Sequence, residues 1–400
     1  MKNLNSISLL LISMLLLPGC NKDKPQYRIS VTNGLQVPRK GETVSVRRSD
    51  LGNITCEEFS RFFVQDARSG AYLISQVIDE DRDGELDYLL FQPDLEADET
   101  RVYNLVTDVD SGSLPVTGIS TFSRFIPERT DDYAWENDRV AFRTYGPTAE
   151  QMVVDGTPGG TLSSGMDCWL KRVDYPIINK WYKKTLEEGG SYHEDTGEGL
   201  DDFHVGASRG CGGVGVWSAE EQKLYTSRNF TRWETIATGP IRTQFSLTYA
   251  PWSTPFGMME ETKIISLDLG SNLSRFEVRV SADGPVEEIS VGLTQHEKDG
   301  TNHADQDNGW FSYWQPHGDS ELGMGIVVAP EYLARYEEYL VDAPDQSHLL
   351  VHLKPVDGKV VYYAGFGWKK SGQIEDEQAW FDYLQGFAER LSSPITYRVK

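Results

Sequence analysis

The chain has 400 residues, with 38 Lys and Arg against 61 Asp and Glu, giving a formal net charge of −23. Its length suits two domains, and a composition of 39% hydrophobic and 25% charged residues allows a large core and excludes a disordered chain. So acidic a chain has no basic face to neutralise phosphates, which excludes nucleic acid as a partner; a small anion in a local basic pocket remains open.

Residues 1–20 read MKNLNSISLLLISMLLLPGC. Lys2 supplies a charged start, and Ile7 to Leu17 is an apolar stretch too short to span a bilayer comfortably. It ends at Leu17-Pro18-Gly19-Cys20, which resembles a bacterial lipoprotein signal, with Pro18 where such signals usually carry a small residue. Processing there leaves Cys20 as a lipidated N-terminus and predicts a cell-envelope protein, periplasmic or outer-membrane, held by lipid alone. Losing Lys2 and no acid takes the net charge from −23 to −24. An ordinary secretory signal is the alternative.

Over 27–122, short runs rich in β-branched and aromatic residues alternate with turns, at Tyr27–Thr32, Thr43–Arg47, Phe62–Gln65, Tyr72–Ile78, Leu86–Phe91 and Arg101–Val106. These predict a small N-terminal β-sandwich. The Ser-, Gly- and Pro-bearing stretch Asp108–Thr121 marks a boundary. The remainder, 126–400, reads as a large antiparallel β-domain, with strands expected at Thr243–Tyr249, Thr262–Leu269, Arg275–Ser281, Ile289–Leu293, Gly325–Val328, Leu349–Leu353 and Val360–Phe366. Two helices are expected, over 175–187 and 375–391. The second carries Trp380, Phe381, Leu384, Phe387 and Leu391 as a core-facing stripe. Loops 189–210 and 295–309 would lie at the rim of this domain.

Four stretches carry candidate chemistry. Asp79-Glu80-Asp81-Arg82-Asp83-Gly84-Glu85-Leu86-Asp87 places oxygens at alternate positions, with Asp79, Asp81, Asp83 and Asp87 the expected ligands of a structural Ca²⁺. Leu90 stands where an EF-hand needs its twelfth-position Glu, and a solvated hairpin turn is the plainer reading. Next, Arg129 to Arg139 concentrates polar groups beside Trp135 and leads into a strand bearing Arg143; Glu136 and Asp138 would share one side of an extended segment. That is either a site wall or a salt-bridged seam.

The densest constellation runs from Tyr192 to Gly213. It holds His193 and His204 among Glu194, Asp195, Glu198, Asp201 and Asp202, then Arg209, on a glycine-rich backbone without regular periodicity. Imidazoles titrate near neutrality and suit proton transfer. His193 and His204 with Asp195 are alternatively metal ligands. Last, His296, His303 and His317 accompany Trp310, Tyr313 and Trp314, aromatics of the kind that stack on sugars. His348 and His352, at strand spacing, read as structural. Outside the signal, Cys56, Cys168 and Cys211 remain; an exported chain could pair two of them, Cys168 and Cys211 first, and free buried thiols stand as an equal reading. No P-loop or kinase set is present.

Several of these stretches carry a resemblance. Pro127-Glu128-Arg129, Asp132, Ala134-Trp135-Glu136-Asn137-Asp138, Phe142-Arg143-Thr144-Tyr145-Gly146, the run from Tyr192-His193 to His204-Val205-Gly206, Gly239-Pro240-Ile241-Arg242, Leu267 to Ser271 and Ala364-Gly365-Phe366-Gly367-Trp368 are similar to the domain of unknown function 4861 family. Its members are exported proteins of polysaccharide-degrading bacteria. The resemblance implies a mutarotase- and polysaccharide-lyase-like β-supersandwich for 126–400, and company with enzymes that degrade uronate polysaccharides. An oligosaccharide lyase or dehydratase working by β-elimination, with no cofactor required for catalysis, is the activity such a setting implies. Proton transfer falls to His193, His204 and Tyr192. Arg143 and Arg209, with Arg139 as substitute, are candidates for a substrate carboxylate, and Trp135, Asp138, Asp195, Glu198 and His296 for further contacts to a uronate-bearing oligosaccharide. The rival readings are a glycoside hydrolase with Glu136 and Glu198 as paired carboxylates, and a non-catalytic glycan-binding lipoprotein.

Overall fold

The computed structural model describes residues 26–400 and is built mainly of antiparallel strands. Cys20 and the apolar leader lie outside the described residues.

The first sheet has the order Thr396–Val399, Tyr27–Thr32, Thr100–Val106, Phe63–Asp66, Tyr72–Leu73. Its partner is the three-stranded sheet Val44–Arg47, Tyr88–Phe91, Ser75–Ile78. Alternation along each strand turns Ile29, Val31, Val46, Val64, Leu89, Phe91 and Leu105 into one enclosed core. One strand of this sandwich comes from the far end of the chain: Ile29 pairs with Val399, and Thr32 with Thr396.

A second five-stranded sheet follows, in the order Gly199–Leu200, Asp167–Lys171, Ala141–Thr144, Asp132–Glu136, Phe122–Ile126. Its three central strands are buried at every position, so their polar residues must find partners inside the protein. The helix Ile178–Leu186, inside the expected 175–187, packs Trp181 and Tyr182 against Trp169 of this sheet.

The body of the large region is a sandwich of a nine-stranded and a five-stranded sheet. The five-stranded sheet runs Lys223–Tyr225, Cys211–Ser218, Ile289–Thr294, His348–Leu353, Leu333–Tyr339; in the larger one the strands Gly257–Asp268, Leu273–Ala282 and Lys359–Trp368 are central. Val214, Val291, Leu293 and Val351 from one sheet meet Phe245, Ile265, Phe276, Met324 and Tyr362 from the other in one continuous core. The expected C-terminal helix forms over Glu377–Ser392, started by the Asp376 side chain accepting from Ala379 N at 2.8 Å. Trp380 and Leu384 of its apolar stripe are buried, against Leu273, Trp310 and Val327.

Candidate functional site

Arg143 sits at the centre of an enclosed polar cluster. Its Nε and Nη2 donate to Asp167 Oδ2 at 2.8 and 2.6 Å, Nη2 donates to Asp201 Oδ2 at 2.8 Å, and Asp132 Oδ2 lies 3.8 Å from Nη1. Tyr145 donates to Asp167 at 3.2 Å and Tyr182 to Asp132 at 3.0 Å. The sheet's register explains the meeting: Arg143 pairs directly with Asp167 on the next strand, so both side chains leave the same face. Three acids around one guanidinium leave surplus negative charge where water cannot screen it. Burial pushes the Asp167 carboxyl up to about 7, reinforced by the charge of Asp201 and opposed by Arg143. Burial likewise raises Asp132 to about 6, and raises Asp201, against the pull of Arg143. Asp132 Oδ1 and Asp167 Oδ1 have no hydrogen-bond partner among the described residues.

Tyr192, also buried, links this cluster to Arg129. Its hydroxyl accepts from Arg143 Nη1 at 3.4 Å and from Arg129 Nε at 3.2 Å. Its oxygen thus takes two donors, and its O–H has no acceptor among the described residues. Tyr192 N is held by Thr185 Oγ1 and Asp201 N by Tyr192 O, which fixes the loop against the helix. The neighbouring His193 ring is exposed, with Nδ1 2.5 Å from the Asp201 carbonyl oxygen. A carbonyl only accepts, so Nδ1 carries the proton, and in the neutral ring Nε2 keeps its lone pair.

The same loop gathers three further histidines. His317 Nε2 lies 2.8 Å from Asp202 Oδ1. His204 Nε2 and His296 Nδ1 lie 3.3 and 3.2 Å from the same oxygen, Asp345 Oδ1. Four of the seven histidines therefore stand along residues 192–206 or against them. Of the other three, His303 is exposed and stacks against Trp310 and Phe381, while His348 and His352 are buried, with burial pulling them down to about 3 and about 4.

Several predicted site residues are held elsewhere. Glu136 is fully enclosed: it accepts from Lys171 Nζ at 2.9 Å and from Ile177 N and Ile178 N, so it anchors the start of the following helix and faces no cleft. Trp135 is equally enclosed and donates to Ser274 Oγ. Arg209 is buried with Ser164 Oγ and the Val214 carbonyl as partners, away from any carboxylate that solvent could deliver. Glu198 is held by Lys180 and Tyr175, and Asp195 by Arg172 and the Gly197 and Gly199 amides. Asp138 and Arg139 border a second region: Arg139 lines a cleft of about 510 Å³ between the small sandwich, the large sheet and the C-terminal helix, together with Lys40, Arg242, Arg275 and Arg390. Asp138 and Arg139 line a neighbouring hollow with Arg172 and Tyr175. In the acidic turn, the carboxylates of Asp79, Asp81 and Asp87 converge, whereas Asp83 accepts from Glu85 N. Cys168 and Cys211 are neighbours and stand as free, buried thiols, the second of the two readings left open for them.

Sequence reasoning passed over Asp167, Asp345 and the part of Arg129. Asp132 and Asp201 stood inside the recognised motifs, and that membership was the available signal. Asp167 and Asp345 had none: one lies in an ordinary strand, the other in a surface turn.

Across residues 31–396 the chain matches the family described as "Domain of unknown function (DUF4861)", and it belongs to that family. It is 47% identical over 387 residues to "Uncharacterized protein P7" of Formosa agariphila, with 96% of each chain covered. Among solved structures it is similar to an alpha-mannosidase from Enterococcus faecalis V583 (TM-score 0.49, 12% identity) and to a protein in the Glycosyl Hydrolase Family 38 from Enterococcus faecalis (TM-score 0.49, 11% identity). Each match covers 94% of this chain but 46% and 47% of the other, so the chain spans about half the length of these structures.

Proposed function

We propose that this chain is an exported, lipid-anchored, carbohydrate-active protein that performs β-elimination on uronate-bearing oligosaccharides. The observation that carries the reading is the grouping of Arg129, Tyr192 and His193 above the buried Arg143 cluster. β-Elimination needs a base for the proton α to the carboxylate, a cation for the enolate-like charge and an acid for the departing oxygen. His193 Nε2, with Nδ1 fixed on the Asp201 carbonyl, suits the base. Arg129 is partly exposed, and its Nε and Nη1 find only the Tyr192 and Thr130 hydroxyls, so it suits the substrate carboxylate. Tyr192, with its proton uncommitted, suits the acid. In that step the C–H pair becomes the new C=C bond, the C–O bond breaks, and the Tyr192 proton goes to the leaving oxygen. Loss of a hydroxyl as water would make the enzyme a dehydratase, and loss of a sugar would make it a lyase. The enclosure of Glu136 removes one carboxylate from the hydrolase reading.

The test is incubation of the purified protein with uronate oligosaccharides, read by mass and by absorbance of the conjugated alkene. His193→Ala should lower turnover by about 10²–10⁴-fold. Its melting temperature should hold, because the ring is 59% exposed. New reducing ends without new absorbance would point to hydrolysis instead. Binding without turnover would point to a glycan-binding protein. Either result overturns the reading.

A further inference from the structure

His204, His296 and Asp345 come from three separated parts of the chain: the glycine-rich loop, the segment just past the strand Ile289–Thr294, and the turn before the strand His348–Leu353. His204 Nε2, His296 Nδ1 and Asp345 oxygen atoms all lie within 4.8 Å of one another. Each imidazole nitrogen is 3.2–3.3 Å from Asp345 Oδ1. Two donors on a tetrahedral ion with bonds of about 2.0–2.1 Å stand about 3.4 Å apart, so both nitrogen–oxygen spacings are those of ligands across a shared metal.

A second observation points the same way. His296 Nε2 lies 2.6 Å from the His204 carbonyl oxygen, which only accepts; Nε2 therefore carries the proton. In the neutral ring this aims the Nδ1 lone pair at a carboxylate oxygen, a repulsive contact that a cation between them turns into two bonds. The His204 backbone thus acts as the outer partner that fixes the tautomer of His296, as a metal-binding histidine requires. Asp345 is oriented too: its Oδ2 accepts from Ala207 N at 3.0 Å. Space is kept by Gly206, at φ +51°, where a Cβ would lie 1.9 Å from Asp345 Oδ2 and 2.7 Å from His204 Nε2.

We propose that His204 Nε2, His296 Nδ1 and Asp345 bind a zinc ion. Two nitrogens and one carboxylate oxygen suit a borderline divalent ion, and three protein ligands leave a fourth position for water or a ligand oxygen. His204 is 68% exposed, so that position opens to solvent. The proposal is independent of the β-elimination reading.

The experiment uses the full chain, stripped with chelator, titrated with ZnCl₂ and desalted; zinc per chain is counted by elemental mass spectrometry and thermal stability is followed in parallel. The wild type should retain one equivalent and melt higher with zinc. His204→Gln, whose exposed ring contributes little packing, and Asp345→Asn should each weaken retention tenfold or more. Asp81→Asn, in the acidic turn, should retain the full equivalent, as should His193→Ala. A wild type that retains no zinc and shows no thermal shift overturns the proposal. So does His204→Gln retaining zinc as well as the wild type, since the ion would then sit elsewhere.

Discussion

Asp167 is wholly enclosed, yet its carboxyl is pushed up to about 7. In the unfolded chain an aspartate titrates near about 3.9. A raised folded value means that the protonated acid favours the fold: this contribution is complete below about pH 4 and is lost as pH rises through about 7. The buried His348 and His352 work in the opposite sense, since their lowered values favour the fold above about pH 6.5 and cost stability below it. A difference measurement separates the two. Relative to wild type, Asp167→Asn should gain in melting temperature as pH is raised from 5 to 8; a difference constant across that range would show that Asp167 does not titrate there. Arg143 and Tyr192 were legible as candidates because charged and phenolic groups beside recognised motifs invite a role. Asp167 was not, because its meaning depends on lying opposite Arg143 across two strands, and that pairing is absent from linear sequence.

The elements are held by a few enclosed charges. Glu136 reaches from a strand to the amides that open the helix Ile178–Leu186, and Lys171 neutralises it. Glu136→Ala would leave a buried ammonium unpaired and should cost about 3–5 kcal/mol, measured by denaturant unfolding. Glu261 and Lys263 form a second enclosed pair, 2.9 Å apart on one strand, with the ammonium 4.0 Å from the Tyr249 ring. Burial lowers the Lys263 value, so its charge is tolerated rather than favoured. Glu261→Ala alone should destabilise by about 3–5 kcal/mol, whereas replacing both residues by Leu and Met should be neutral or stabilising. If the double replacement costs as much as the single one, the pair is a net source of stability. The helices show what periodicity can and cannot reveal. The C-terminal helix was legible from its apolar stripe. The helix Pro147–Val154 was not, since it buries Ala149 alone and so carries no stripe to read.

At the scale of the molecule, the strand Thr396–Val399 is the fact that linear reading missed. Its alternating residues predict no partner, because a pairing with Tyr27–Thr32 spans nearly the whole chain. Deleting residues 395–400 should expose the edge of Tyr27–Thr32, lower the melting temperature and promote association, as seen by light scattering. A truncated chain that stays monomeric with unchanged stability would show that the strand merely decorates the edge. The pairing has one more consequence. Arg28 N lies 3.3 Å from Lys400 O, so the described chain ends beside its own beginning. The described span, from residue 26 to residue 400, is close to a ring, and a short peptide bridge between those two points would close it. New ends opened near Val116, which is 97% exposed, would give a circular permutant in which every strand of the small sandwich is contributed by one continuous stretch of chain.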